Sequence, residues 1–395
     1  MGGSMKKRIA LVTCAVSMAL YSGGIASAGP AAEIENREEG SGELAGGSET
    51  KEADPEENGA DADEILIRMV GDDLIHQPIF SQSLLGDGSY DFDLIFAPMK
   101  EDFESADVAI LNQETILIRD YSQVSSYPMF GSPDALGHSI AKAGFDVVAH
   151  ATNHTMDKGV TGILDTIRFW ETNYPQMLYL GIHKDAADSD IRYMDVKGVR
   201  LGFVNYTYGL NGLEGRRRGR EYLVDLLGDG GIEGTLHEAR DNSDFLIAIL
   251  HAGNEYVHTP TAYQRQQIQR FIDNGADIVF CAHPHVLEPY QMLTTPSGNT
   301  GLVYYSLGNY VSAQNDLACV LGGMAEVRLK RGEDGIVAVS DYDLVPLVTH
   351  QEFRNFTTYK LADYPAELEA RHELRGKGLS AQALWELFGR AAPRW

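Results

Sequence analysis

Cysteine is nearly absent from this chain: three residues in 395. Cys14 falls in the amino-terminal leader, while Cys281 and Cys319 lie in or beside apolar runs without the partner spacing of a zinc ribbon. Both are therefore expected as buried free thiols. Positive charge is scarce as well. With 32 lysines and arginines against 57 acidic residues, the formal net charge is -25. That balance argues against a nucleic-acid partner, because phosphate binding needs a basic surface. No apolar run is long enough to favour a membrane-spanning helix. A serine nucleophile is also missing. Asp73 stands after Gly71-Asp72, where an esterase of the Gly-Asp-Ser type needs serine, and Ser306 lacks a nucleophile-elbow pattern.

What is present divides the chain into four parts. Lys6, Lys7 and Arg8, the apolar residues 9–20 and the small residues Ala26-Ser27-Ala28 make 1–28 a signal peptide or N-terminal anchor. Export is the favoured reading, and Thr13 before Cys14 makes a poor lipidation site. Residues 29–63 are rich in Glu, Gly, Ala and Ser and almost free of large apolar side chains. They are expected to form a disordered acidic linker, because they bury too little to offset chain entropy. A globular domain is expected over 64–347, and a mainly helical extension over 348–395. The expected product is secreted, or tethered outside the cytoplasmic membrane.

Within the domain, six short apolar runs each end in polar residues able to bind a metal. Residues 68–70 run into Gly71-Asp72-Asp73, 109–111 into Asn112-Gln113-Glu114, and 147–149 toward Asn153-His154. Residues 247–250 run into His251, 278–280 toward His283-Pro284-His285, and 303–305 into Ser306-Leu307-Gly308-Asn309. Such runs, separated by helical stretches, read as buried strands of a layered α/β fold. Helices are expected over 96–106, 133–143 with Ser132 as cap and Gly144 as stop, 160–172, 234–240, 262–274 and much of 365–390. Strands over 191–196 and 200–205 flank a turn at Lys197-Gly198, and later strands are expected near 323–329 and 336–347. Arg216, Arg217, Arg218 and Arg220 form a local basic run, either a solvated loop or a site for an anionic substrate or wall polymer.

Ligands of open α/β sheets bind beyond the carboxyl ends of strands, so these clusters are expected to meet in one metal centre. Two divalent cations need an anionic bridge, neutral donors and an open position. Asp72 and Glu114 supply carboxylates, Asn153 a neutral oxygen, and His251, His283 and His285 imidazoles. Strand alternation would point His283 and His285 the same way. His154, next to Asn153, is cast as the proton donor to a leaving group or as a contact to a bound anion. Taken singly, each has a structural alternative. Asp72 can cap a turn, Glu114 can be a surface carboxylate, Asn153 and His154 can stabilise a loop, and His251 can be a core histidine. Asp73, His76, His150 and His258 are expected in structural or supporting roles.

Gly71-Asp72, Asn112-Gln113-Glu114, Ala151-Thr152-Asn153-His154 with Asp157 and Gly159, His251-Ala252-Gly253-Asn254-Glu255-Tyr256, Ala282-His283-Pro284-His285-Val286 and Tyr305-Ser306-Leu307-Gly308-Asn309 occur in that order. This series resembles the CapA family of poly-gamma-glutamate capsule biosynthesis proteins, relatives of the calcineurin-like metallophosphoesterases. The resemblance implies a four-layer α/β/β/α sandwich and a site for one or two divalent ions (Mn, Zn or Fe). Asp72 resembles the first aspartate ligand, Glu114 the bridging carboxylate, Asn153 and His154 the Asn-His pair, His251 the isolated histidine, and His283 and His285 the closing pair. His76, Asp157, Glu255 and Asn309 would support them. It further implies an exported, metal-dependent phosphoesterase-like hydrolase serving capsule (poly-gamma-glutamate) or cell-surface polymer biosynthesis, or a non-catalytic polymer-binding or export/anchoring scaffold. Its substrate would be a phosphoester or polyglutamate, and its partners membrane polyglutamate synthase subunits. One departure is visible. Leu74 stands where the first motif of the metallophosphoesterases has a histidine, two residues after its aspartate, so His76 would have to swing in.

Overall fold

A computed structural model describes residues 64–395, so the expected leader and linker lie outside the described residues. Strands of the first sheet run in the order Asn355–Lys360, Val337–Glu352, Leu321–Arg331, Glu64–Asp73, Val108–Gln113, Val147–Ala149 and Leu178–Leu180. A further strand, Asn309–Val311, pairs with the end of Glu64–Asp73. The second sheet runs Tyr290–Thr294, Thr300–Tyr304, Ile278–Ala282, Phe245–His251, Val199–Thr207 and Arg192–Val196.

The central strands are apolar on both faces, which is why they read as continuous runs rather than alternating ones. Ile65, Ile67, Met69, Val108, Ile110 and Val147 of the first sheet share one core with Phe203, Phe245, Ile247, Ile249, Ile278 and Phe280 of the second. The alternate residues point outward. Val70, Ala109, Leu111 and Val148 pack on Leu136, Ile140, Phe169 and Trp170 from the helices Ala135–Ala143 and Gly159–Asn173. Val204, Leu246, Ala248 and Val279 pack on Leu236, Ala239, Ile268 and Phe271 from Ile232–Asp241 and Ala262–Asp273. The result is a four-layer α/β/β/α sandwich. Among the described residues no helix is long and apolar enough to cross a membrane.

Local expectations were met unevenly. Gly144 ends its helix in the left-handed conformation (φ 102°), but Ser132 does not cap it; its hydroxyl pairs with that of Thr115. The single helix expected over 96–106 is broken into Asp93–Phe96, Ala97–Met99 and Lys100–Glu104. Pro98 sits at that break, where it lacks the N–H a continuous helix needs. The expected boundary at residue 347 falls inside the strand Val337–Glu352, and the segment beyond it begins with another strand. Helices follow only from Ala366 onward. Leu361, Leu374, Leu379, Leu384 and Ala391 of that segment then join the core between the sheets. The carboxyl-terminal residues therefore complete the domain and do not form a separate extension. Cys281 and Cys319 are buried free thiols.

Candidate metal centre

Each sheet brings three of the expected ligands to a common rim. From the first come Asp72 at a strand end, Glu114 just beyond Val108–Gln113, and Asn153 in the turn after Val147–Ala149. From the second come His251 at the end of its strand and His283 and His285 just past Ile278–Ala282. All six are buried. Asp72, Glu114 and His251 place ligand atoms within 4.8 Å of one another, and so do Glu114, His283 and His285. Glu114 is common to both groups.

The two histidines after Ile278–Ala282 do not converge by strand alternation. His283 and His285 have φ of 99° and 60°, values that cost a non-glycine residue free energy. The left-handed turns sit where the chain must bend two imidazoles back toward the first sheet. Asp72 holds this bend: its carboxylate accepts the His283 N–H at 3.2 Å and lies 3.1 Å from His285 Nδ1. Asn309 adds a contact from Oδ1 to the same Nδ1 at 3.1 Å.

Polar atoms without partners identify what the cluster lacks. Both Glu114 carboxyl oxygens and His283 Nδ1 are buried without a hydrogen bond. Such groups are costly unless something else satisfies them. Around Glu114 stand His251 Nε2 at 3.7 Å, His285 Nδ1 at 3.8 Å and His154 Nε2 at 4.0 Å. Burial pushes the Glu114 carboxyl well above its usual range, with His285 pulling it partly back. Burial pulls His251 well below the usual value, and burial with the neighbouring His285 and His154 takes His283 to about 3. For His285, burial works against the proton, but Glu114 and Asp72 outweigh it and raise the group to about 9. Neutral His251 and His283 are the form that binds a metal, and a bound dication would displace the proton held by His285. Donor set, burial and orphaned oxygens all fit divalent ions.

The remaining expected residues separate by position. His154 Nδ1 donates to Asp157 Oδ2 at 2.7 Å, and the same oxygen accepts the Phe130 N–H. Asn153 Oδ1 lies 2.9 Å from His251 Nε2. His76 does not replace the missing histidine: its Nδ1 meets the Leu74 carbonyl and the Ala313 N–H, and it belongs to neither ligand group. Leu74 itself is buried apolar core. Glu255 is exposed and reaches the centre only through its field on Glu114 and His285. His150 accepts the indole N–H of Trp170, and His258 meets the Leu287 carbonyl, so both serve packing. Arg217 of the basic run is buried in a two-pronged pair with Asp229, which removes it from any anion site.

Two contributors had no role assigned from the sequence. Asn112 donates to Asp72 Oδ1 at 2.8 Å and lies 3.3 Å from His251 Nδ1, joining the two sheets. Its place at the second apolar-to-polar junction was the available signal. Tyr208 lies over His283 with ring centres 4.6 Å apart and is partly exposed, and nothing in its local pattern marks it.

Glu288, outside the ligand set, allows a clean test of burial. One oxygen accepts from Gln264 at 2.8 Å, the other has no partner, and burial raises the group from 4.5 to about 8. The stability from protonated Glu288 is full below 4.5 and is lost as pH rises toward about 8. Each unit is worth about 1.4 kcal/mol, so the whole effect is on the order of a few kcal/mol. Melting curves across this window should fall less steeply for Glu288→Gln than for the parent chain. Parallel curves would refute the assignment.

Residues 66–314 match the family model described as bacterial capsule synthesis protein PGA_cap. The PGA biosynthesis protein CapA of Bacillus subtilis is 30% identical over 201 residues, 51% of this chain and 51% of the relative. The capsule biosynthesis protein CapA of Bacillus anthracis is 26% identical over 268 residues, 65% of this chain and 62% of the relative. These alignments span about half to three fifths of the relatives' own lengths. A solved putative 5'-nucleotidase from Staphylococcus aureus overlaps with a TM-score of 0.44 at 16% identity, over 72% of this chain and 54% of the other. The matched span holds every residue of both ligand groups around Glu114, and over that span the chain belongs to the bacterial capsule synthesis protein PGA_cap family.

Proposed function

We propose that the chain is an exported, metal-dependent hydrolase of phosphoesterase type serving capsule or surface-polymer biosynthesis. The observation that carries this reading is Glu114, a buried carboxylate with two unpartnered oxygens shared by two ligand groups. One or two divalent ions bound there would polarise phosphoryl oxygens and lower the pKa of an attacking water. Asp72, Glu114, Asn153, His251, His283 and His285 would hold them. His154, oriented by Asp157, presents Nε2 toward the cluster and gives a proton to the leaving oxygen. The capsule role rests on family membership and on the names of the two Bacillus relatives. Polyglutamate synthase subunits at the membrane are the proposed partners.

The test is hydrolysis of aryl phosphate mono- and diesters by the purified chain with Mn²⁺, Zn²⁺ or no added metal. Metal-stimulated turnover abolished by His283→Ala is the expected result. Buried Leu74, where the first metallophosphoesterase motif has a histidine, favours a second reading: a scaffold that binds or anchors polyglutamate. Absence of turnover, with polymer binding that survives His283→Ala, would select the scaffold.

The proton-donor role has its own signature. Asp157→Asn removes the charged acceptor that fixes the His154 ring and tautomer, and turnover should fall roughly 10²-fold on esters with alkyl leaving groups. On p-nitrophenyl esters, whose leaving group needs little protonation, the loss should be much smaller. Equal losses on both would assign Asp157 to folding instead.

A further inference from the structure

A second group of metal-type ligands lies outside the centre around Glu114. His183 follows the strand Leu178–Leu180, Asp225 lies in the loop that meets the end of Val199–Thr207, and Asp190 precedes Arg192–Val196. His183 Nε2 is 2.9 Å from Asp225 Oδ2 and 3.7 Å from Asp190 Oδ1. Ligands of a tetrahedral ion at about 2.1 Å stand roughly 3.4 Å apart, so these two separations bracket the required spacing. His183 and Asp225 are buried, whereas Asp190 is half-exposed at the mouth.

In front of these groups opens a cavity of about 420 Å³, lined by Asp190, Asp225, Glu221 and Asp229 together with Tyr206 and Thr235. Its character is acidic: Asp229 is paired with Arg217 and Asp225 with His183, while Glu221 and Asp190 add further charge. Asp188, on the other side of His183, is turned to Arg192 at 3.0 Å. A plain ion pair between His183 and Asp225 would need neither Asp190 nor this space. Independent signs come from Tyr206 and His183. Tyr206 is 3% exposed and lines the same cavity, and its hydroxyl finds no partner there but Thr235, while the buried His183 Nδ1 has no hydrogen-bond partner. Buried ring nitrogens ordinarily find one. The position also suits a ligand, since it lies beyond the carboxyl ends of Leu178–Leu180 and Val199–Thr207.

We propose that His183, Asp190 and Asp225 form a separate divalent-cation site that opens onto the cavity bordered by Tyr206. One imidazole with two carboxylates suits Zn²⁺ or Mn²⁺, and three protein ligands leave a position open for water or for an anionic group of a bound molecule. The site does not depend on the reaction assigned to the Glu114 centre.

The test uses the whole chain carrying His251→Ala and His283→Ala, which disables the Glu114 centre. After metal removal, Zn²⁺ alone and Mn²⁺ alone are titrated, and bound ion is counted by elemental analysis. One ion per chain should remain in this background and be lost when His183→Ala or Asp225→Asn is added. Asp190→Asn, half-exposed and safe for folding, should weaken binding about tenfold or more. No retained ion, or a retained ion indifferent to Asp190→Asn, would overturn the proposal. Neither outcome bears on phosphoester turnover by the parent chain.

Discussion

Glu114→Gln should separate metal binding from folding by moving them in opposite directions. Glutamine keeps the shape of the side chain but cannot bridge two cations, so metal content per chain should fall. Turnover, if measured on aryl phosphates, should drop roughly 10²–10³-fold, the scale for losing one preorganised charge-stabilising group. The metal-free protein should respond the other way. There the carboxyl sits in a buried site that raises it well above its ordinary value of 4.5. In the unfolded chain water solvates that carboxylate, so burial of Glu114 opposes folding. Removing that cost should raise metal-free stability, moderated by the lost attraction to His285. Addition of Mn²⁺ or Zn²⁺ should then stabilise the parent chain much more than the variant. Melting temperatures with and without metal, beside elemental analysis, measure both halves. A variant that keeps its metal, or melts lower without it, would remove Glu114 from the bridging position.

Much of the scaffold was legible because the central strands are buried on both faces. That burial turns residues 108–111, 147–149, 245–250 and 278–281 into uninterrupted apolar runs, and a run that stops at polar residues marks a strand end. What the order of residues could not reveal was which ends meet. Asp72 and His283 are far apart in sequence and come from different sheets, yet the carboxylate of one receives the backbone N–H of the other. Their contact depends on the stacking of sheets. The sharp bends at His283 and His285 were also invisible, since residues of this type normally take extended or right-handed backbone. The strand Asn355–Lys360 was missed for a different reason. Its buried Thr358 is satisfied by the Tyr310 carbonyl at 2.6 Å, so a segment polar in isolation is compatible with the sheet's edge.

Gly71→Ala should be among the most damaging single-methyl additions to this chain. Leu321–Arg331 pairs with the first strand as far as Val70↔Met324, and Asn309–Val311 takes over from Asp72↔Asn309. Gly71 lies at this handover, where the pairing with Val108–Gln113 also shifts register between Val70 and Asp72. A Cβ on Gly71 would fall 1.9 Å from the Gly308 carbonyl oxygen, a backbone atom with no rotamer to escape through. That same oxygen accepts the Asp72 N–H at 3.0 Å. Relief therefore requires the strand Asn309–Val311 to move, carrying Asn309 away from His285 and disturbing Asp72. Overpacking of this kind should cost about 3 kcal/mol or more and lower metal affinity together with stability. Gly86→Ala, with nothing within 4 Å of the added methyl, is the control and should leave both unchanged. Chemical denaturation and metal titration of the two variants give the comparison. If Gly71→Ala matches Gly86→Ala in both, then the glycine before Asp72 is not held there by the crossing strand, and the rigid placement of Asp72 needs another cause.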